Sequence, residues 1–271
     1  MLASAIDCRP LSPILGAEIS GIDLKGELDT SVKAQLLQAW HRHGLLLFRG
    51  QDLSVEDLDR AAGIFGHVTY SNPWGGVFGD NQAHVSNVLP DALAPAGELL
   101  FHMDYSFCDE PLRGIALYAY EIPPKGAGGD TLFANVKLAY EHLPADLQRR
   151  INPLKIVHTT HLVEPRMPRV ASEHRLAFTH PVTGETVLYC SPRHFERFLG
   201  VDAAEGEALC RALEAEIARP DISYRHEWEP RDFVVWDNIK LQHARTHFDA
   251  SHRRHLRRIQ IAADHASPAA Q

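Results

Sequence analysis

The chain has 271 residues, 27 Lys and Arg against 35 Asp and Glu for a formal charge of −8, and 45% apolar residues, which suits one large domain or two small ones with a sizeable core. That balance excludes intrinsic disorder and fibrous or collagen-like classes, and its acidic sum disfavours a general nucleic-acid binder. No apolar run approaches the ~18 residues of a membrane span, the start lacks a secretory signature, and Cys8, Cys108, Cys190 and Cys210 are too scattered for a disulfide framework or a zinc-cysteine site, so a cytoplasmic protein with reduced thiols is expected.

Residues 29–43 place Val32, Leu36, Leu37 and Trp40 at helical spacing behind the capping candidates Asp29, Thr30 and Ser31, and Gly44 ends the helix. The apolar run 45–48 suits a buried strand, and 54–65 a second helix with Leu58, Ala61, Ala62 and Phe65 on one face. From 71 to 97 Gly, Pro, Asn and Asp dominate without a sustained period. So long a loop in a compact domain is often functional, and an active-site lid around 68–100 is expected. Short strand-like runs follow at 114–122, 131–134, 155–162, 187–190, 222–228, 232–236, 241–246 and 256–262, interrupted by helical stretches at 136–151 and 202–218. Many short strands and few helices predict a jelly roll or β-sandwich rather than alternating βαβ units. No repeat or linker divides the chain, so one domain over 1–271 is expected, with a frayed tail at 266–271.

The stretch 99–107, LLFHMDYSF, carries the most chemistry. In a strand, period two puts His102 and Asp104 on one face. Two His and one carboxylate on one side of an ion leave positions open, the arrangement of non-haem Fe(II) oxygenases. An isolated His-x-Asp is common by chance, so a third ligand is required. His243, in a strand after a tight Asp237-Asn238 turn, is the candidate among 17 His. The cluster 253–258, RRHLRR, supports it: in a strand Arg254, Leu256 and Arg258 share a face, opposite Arg253, His255 and Arg257. Arginines aimed into a dry barrel require anions, and a dicarboxylate such as 2-oxoglutarate meets that demand bidentately. Standing by itself, the cluster would instead read as a solvated basic patch.

Several pieces in order carry a family likeness: LGAEISGIDL at 15–24, HGLLLFRG at 43–50, His102-Met103-Asp104, GGDTLF at 128–133, HPVTG at 180–184, Trp236-Asp237-Asn238, His243, and Arg254 to Arg258. Together they resemble the taurine dioxygenase (TauD/TfdA) family of Fe(II)- and 2-oxoglutarate-dependent dioxygenases over nearly the whole chain. The resemblance implies a mainly β fold with flanking helices, a double-stranded β-helix (jelly roll, cupin-like). It implies His102, Asp104 and His243 as iron ligands and Thr131 as a hydroxyl contacting a 2-oxoglutarate carboxylate. Arg254, eleven residues after His243, matches the arginine that pairs with the far carboxylate. Arg258, fifteen after it, matches one near the other carboxylate and the substrate's acidic group.

The implied reaction consumes O2 and 2-oxoglutarate, releases succinate and CO2, and hydroxylates a C–H bond; desaturation or cyclisation uses the same ligands. Related halogenases carry Gly or Ala where Asp104 stands, which disfavours halogenation. The expected partner is a small organic acid or amino-acid derivative, with no nucleic acid and no membrane, and a homo-oligomer is open. Tyr70, Trp74, Tyr105 and Phe195 are candidates for the substrate wall beside Asn72 and Phe78, although such aromatics are more often core. Ser71 and Glu98 stand near the places of a His and an Asn in taurine-using members, which makes taurine doubtful. Arg166 and Arg169 offer further charge or are ordinary loop arginines. A demethylase-like oxygenase acting on nucleic acid or protein fits poorly with the acidic balance. A metal-binding jelly roll without turnover would have no need of Thr131, Arg254 and Arg258.

Overall fold

In the computed structural model, described over residues 6–75, 77, 79–94, 96–160 and 168–262, the chain is mainly β with flanking helices. Eight strands form the larger sheet, in the order Asp7–Pro10, Ala17–Ser20, Leu45–Phe48, Phe233–Asp237, Gly114–Glu121, His255–Ala262 and His67–Thr69, with His84–Ser86 also paired to His255–Ala262. The smaller sheet runs Ser223–His226, Thr131–Asn135, Leu241–Arg245, Leu99–His102. Pairing is antiparallel apart from Ala17–Ser20 against Leu45–Phe48. This is the jelly-roll architecture expected.

The run 45–48 is apolar throughout because its sheet is covered on both faces. Alternate side chains point opposite ways: Leu46 and Phe48, with Ala116, Tyr118, Phe233, Val235 and Ile259, pack against Leu36, Trp40 and Leu58 of the two N-terminal helices. Leu45 and Leu47, with Ile115, Leu117, Val234, Trp236 and Leu256, face Phe133 and Leu241 of the smaller sheet. Each such side chain taken fully out of water contributes roughly 1.5–3 kcal/mol. The Thr30–His43 helix stops at Gly44, whose φ of 72° lets its N–H close on Trp40 O at 2.7 Å. Ser54 and Asp57 form a capping box on the Val55–Ala62 helix. A third core joins the Ala203–Ile217 helix to Ile156, Leu188, Tyr189 and Phe198, on a three-stranded sheet of Ala171–Arg175, Lys155–Thr159 and Phe195–Phe198 and its neighbours.

Several expectations change. The helix expected at 136–151 is two, Val136–Glu141 and Ala145–Ile151, because Pro144 has no N–H to continue the first and instead precedes the second. The stretch 71–97 contains a short 3-10 helix, Asp80–Ala83, and the His84–Ser86 strand. Strands Asp7–Pro10, Ala17–Ser20, Ala171–Arg175, Ala177–Thr179 and Phe195–Phe198 were not anticipated, being too short for a visible period. The 99–107 strand ends at His102, and Asp104 lies in a turn. Phe78, Arg166, Leu162 and the tail at 266–271 lie outside the described residues. Among the described residues no helix is long and apolar enough to cross a membrane.

Candidate active site

The interior of the barrel holds a cavity of about 510 Å³ lined by both sheets and the 73–99 segment. His243 and His102 are direct partners in the register of the smaller sheet, their ring centroids 4.2 Å apart. One turn carries Asp104 back beside them, its Oδ1 3.6 Å from His102 Nε2. The three residues each offer a ligand atom, all within 4.8 Å of one another. A chain break in regularity makes this possible. Tyr105 adopts φ 61°, a left-handed conformation that costs a non-glycine residue on the order of 1 kcal/mol. Asn238 holds the turn: its Oδ1 accepts from Asp104 N at 3.0 Å, and its Nδ2 donates to Asp104 O at 2.8 Å and Leu112 O at 3.0 Å. Asp237 in turn fixes Asn238's neighbours, accepting from Ile239 N, Lys240 N and His180 Nε2.

Tautomers and charges suit a divalent cation. The His102 Nδ1–H donates to Leu100 O at 2.7 Å, which leaves Nε2 as the lone-pair donor. His243 Nδ1 is buried without a hydrogen-bond partner. Burial, reinforced by His102, lowers the His243 pKa to about 3. Burial by itself would raise the Asp104 carboxyl, but Arg258 and the two imidazoles outweigh it and hold it well below the usual carboxylate range. Two neutral imidazoles and an ionised carboxylate are the donor set a divalent iron takes, so the residues present fit the metal.

Thr131 and Arg254 line the same cavity. The Thr131 hydroxyl oxygen accepts from Trp228 Nε1 at 3.0 Å, so its own proton remains to be offered inward. Arg254 is 2% exposed, donates through Nε to Gly129 O at 3.1 Å, and keeps NH1 buried and unpartnered. Burial, then the charge of Arg245, lowers it to about 9, the signature of a guanidinium that lacks its anion. The GGDT segment is shaped by this packing. A Cβ on Gly128 would lie 1.9 Å from His247 O, and one on Gly129 3.4 Å from Arg254 Nε.

The predicted residues divide. His102, Asp104, His243, Thr131, Arg254 and Arg258 meet in the cavity, with Trp74 and Tyr105 on its wall. Arg258 faces inward as the strand pattern requires, but its partner is Asp104, at 2.9 Å through NH2 and 3.0 Å through Nε. Tyr70 is a correction: its hydroxyl donates to Asp59 and takes Arg257 on the outer face of the barrel. Phe195 is another, packing on Phe198 in the third core. Arg169 pairs with Glu196 outside the cavity. Arg193, His194 and Arg245 line the cavity and were missed; only their place in the fold, not a local pattern, marks them.

The family model of the taurine catabolism dioxygenase TauD, TfdA family matches residues 7–260. Pentalenolactone F synthase of Streptomyces avermitilis is 32% identical over 286 aligned positions, covering 94% of this chain and 93% of its own. The (S)-phenoxypropionate/alpha-ketoglutarate-dioxygenase of Sphingobium herbicidovorans is 28% identical and covered to 99%, as is this chain. The crystal structure of AAD-2 in complex with Mn(II) and N-oxalylglycine matches with a TM-score of 0.82 at 27% identity, covering 96% of this chain and 98% of its own.

Proposed function

The chain belongs to the taurine catabolism dioxygenase TauD, TfdA family, and from that premise we propose that it hydroxylates a C–H bond of a small organic acid, with His102, Asp104 and His243 holding iron(II) and Thr131 and Arg254 holding 2-oxoglutarate. The observation that carries this reading is the meeting, in one buried cavity, of a two-histidine, one-carboxylate set with a buried guanidinium short of an anion. Iron(II), 2-oxoglutarate and O2 together supply the oxidant for the C–H bond, with succinate and CO2 released. The chain's own work is placement. Arg254 and the Thr131 proton would grip the distal carboxylate of 2-oxoglutarate from two sheets, Leu100 O keeps the His102 Nε2 lone pair free, and Arg258 keeps Asp104 ionised. The wall of Ile115, Leu117, Trp236 and Tyr105 excludes water around the reacting C–H.

Within this reading the chain acts as one catalytic domain over 1–271, with 68–100 as its lid. Its four cysteines are free thiols, which supports a cytoplasmic setting. Desaturation or ring closure is a second outcome open to the same three metal ligands. Succinate formation, measured with Fe(II), 2-oxoglutarate and a panel of organic acids, tests the proposal. Turnover should require iron, rise with at least one acid and vanish in His243→Ala; a folded, iron-loaded enzyme that makes no succinate with or without acids contradicts it. Mass spectrometry of the product separates a gained oxygen atom from two lost hydrogens.

A further inference from the structure

Among the described residues four arginines line the cavity, and three are already committed. Arg258 meets Asp104. Arg245 gives its guanidinium to the carbonyls of Ala94, Ala96 and Gly97 at 2.6, 2.7 and 3.0 Å. Arg254 donates to Gly129 and faces the place assigned above to the distal carboxylate of 2-oxoglutarate. Arg193 is the exception: it is half-buried and makes no hydrogen bond or ion pair with any described residue. Among the described residues the cavity holds one acid besides Asp104, Glu98, and it forms no ion pair with Arg193.

The position of Arg193 is fixed by its surroundings. It lies in the 3-10 turn Pro192–His194, directly before the Phe195–Phe198 strand. Its neighbour His194 is tied through Nδ1 to the hydroxyls of Ser106 and Ser191 at 3.2 and 3.1 Å. Arg193 lines the same cavity as Arg245, whose proton affinity burial lowers first and the Arg193 charge lowers further. Arg254 and Thr131 come from the two barrel sheets; Arg193 comes from the segment leading into the separate three-stranded sheet, so it enters the cavity from another element. A guanidinium on a cavity wall with no anion among the described residues is poorly solvated, and an anionic ligand restores what it lacks.

We propose that Arg193 recognises the anionic group of the substrate, a carboxylate, sulfonate or sulfate, and so sets a preference for acids over their neutral analogues. The proposal deepens the oxygenase reading above and rests on it. Anaerobic calorimetric titration of the enzyme loaded with Fe(II) and 2-oxoglutarate tests it, using 2-phenoxypropionate, hexanesulfonate and hexyl sulfate beside the neutral methyl 2-phenoxypropionate and hexanol. At least one acid should bind wild type more tightly than its neutral counterpart. Arg193→Gln should weaken that acid roughly tenfold or more while 2-oxoglutarate affinity, read from the visible charge-transfer band, stays within roughly twofold. Arg193→Lys keeps the charge and should keep the preference, and it serves where the glutamine variant does not fold. Acids that bind wild type no better than the neutral probes overturn the proposal, as does unchanged binding in Arg193→Gln. A loss of 2-oxoglutarate affinity in that variant also overturns it, by giving Arg193 to the co-substrate. No charge-transfer band in wild type is a separate failure, that of the oxygenase reading itself.

Discussion

At Arg254 a full positive charge is taken out of water and left with one hydrogen bond from Nε and a bare NH1. Such a group is tolerated in a fold that will receive an anion, and its removal should be felt as co-substrate affinity. Arg254→Ala is expected to weaken 2-oxoglutarate binding by roughly 10–100-fold, the worth of a charge-assisted hydrogen bond or two, with iron binding retained; unchanged 2-oxoglutarate affinity in an anaerobic titration contradicts the assignment. A pH dependence follows from His158, buried in the third core, whose Nε2 accepts from Ser191 N at 3.0 Å. Burial, then the charge of His174, holds its pKa at about 3, below the ordinary imidazole value of about 6.5. The unfolded chain therefore takes the proton first as pH falls. The stability contributed is complete above the unfolded value and is lost on the way down towards about 3, at about 1.4 kcal/mol per pH unit for such a site. Urea midpoints of metal-free protein should fall between pH ~7 and ~4.5, and a flat profile contradicts a neutral His158. Residue types legible in the sequence were those whose chemistry repeats locally, His102 with Asp104 and Arg254 with Arg258. Trp228, and the hold of Asn238 on Asp104, were not, because the partners Thr131 and Asp104 lie 97 and 134 residues away in sequence.

Among elements, the turn after the Leu99–His102 strand decides whether a carboxylate reaches the two imidazoles. The period-two argument put His102 and Asp104 on one side, and they are, but the agent is a turn, left-handed at Tyr105 and clamped by Asn238 at the Asp104 backbone, rather than a continuous strand. Asn238→Ala removes both bonds to the Asp104 backbone and should weaken iron affinity by roughly 10–100-fold, as loss of supporting contacts around metal ligands does elsewhere. Competition with a chelator measures it, and wild-type affinity contradicts the role given to the turn. Gly128 presents a stricter case. Its φ of 84° and the carbonyl of His247 at 1.9 Å from any Cβ leave no room for a side chain, so Gly128→Ala should cost more than about 2 kcal/mol in urea unfolding. The amphipathic helices and the buried 45–48 strand were legible because a covered face imposes a period. The Asp7–Pro10 strand was not: it is an edge, largely exposed, and too short to show one.

For the molecule as a whole, the order of short motifs named the fold, since pieces scattered from 15 to 258 meet only if two sheets close on each other. What the sequence left open was how the 71–97 stretch is held. Arg245 holds its end from inside the barrel, through three carbonyls. Each hydrogen bond from a charged donor contributes roughly 1.5–3 kcal/mol, so Arg245→Ala should free the 94–97 segment, speeding elastase cleavage there about tenfold or more with little change in global unfolding. Wild-type cleavage rates contradict that tether. The central claim is a cavity that takes iron(II) and 2-oxoglutarate together, and anaerobic addition of both to metal-free protein tests it most directly. A visible metal-to-ligand charge-transfer band should form, disappear in His243→Ala and need far more 2-oxoglutarate in Arg254→Ala. A folded wild-type protein that binds iron and shows no band contradicts the account.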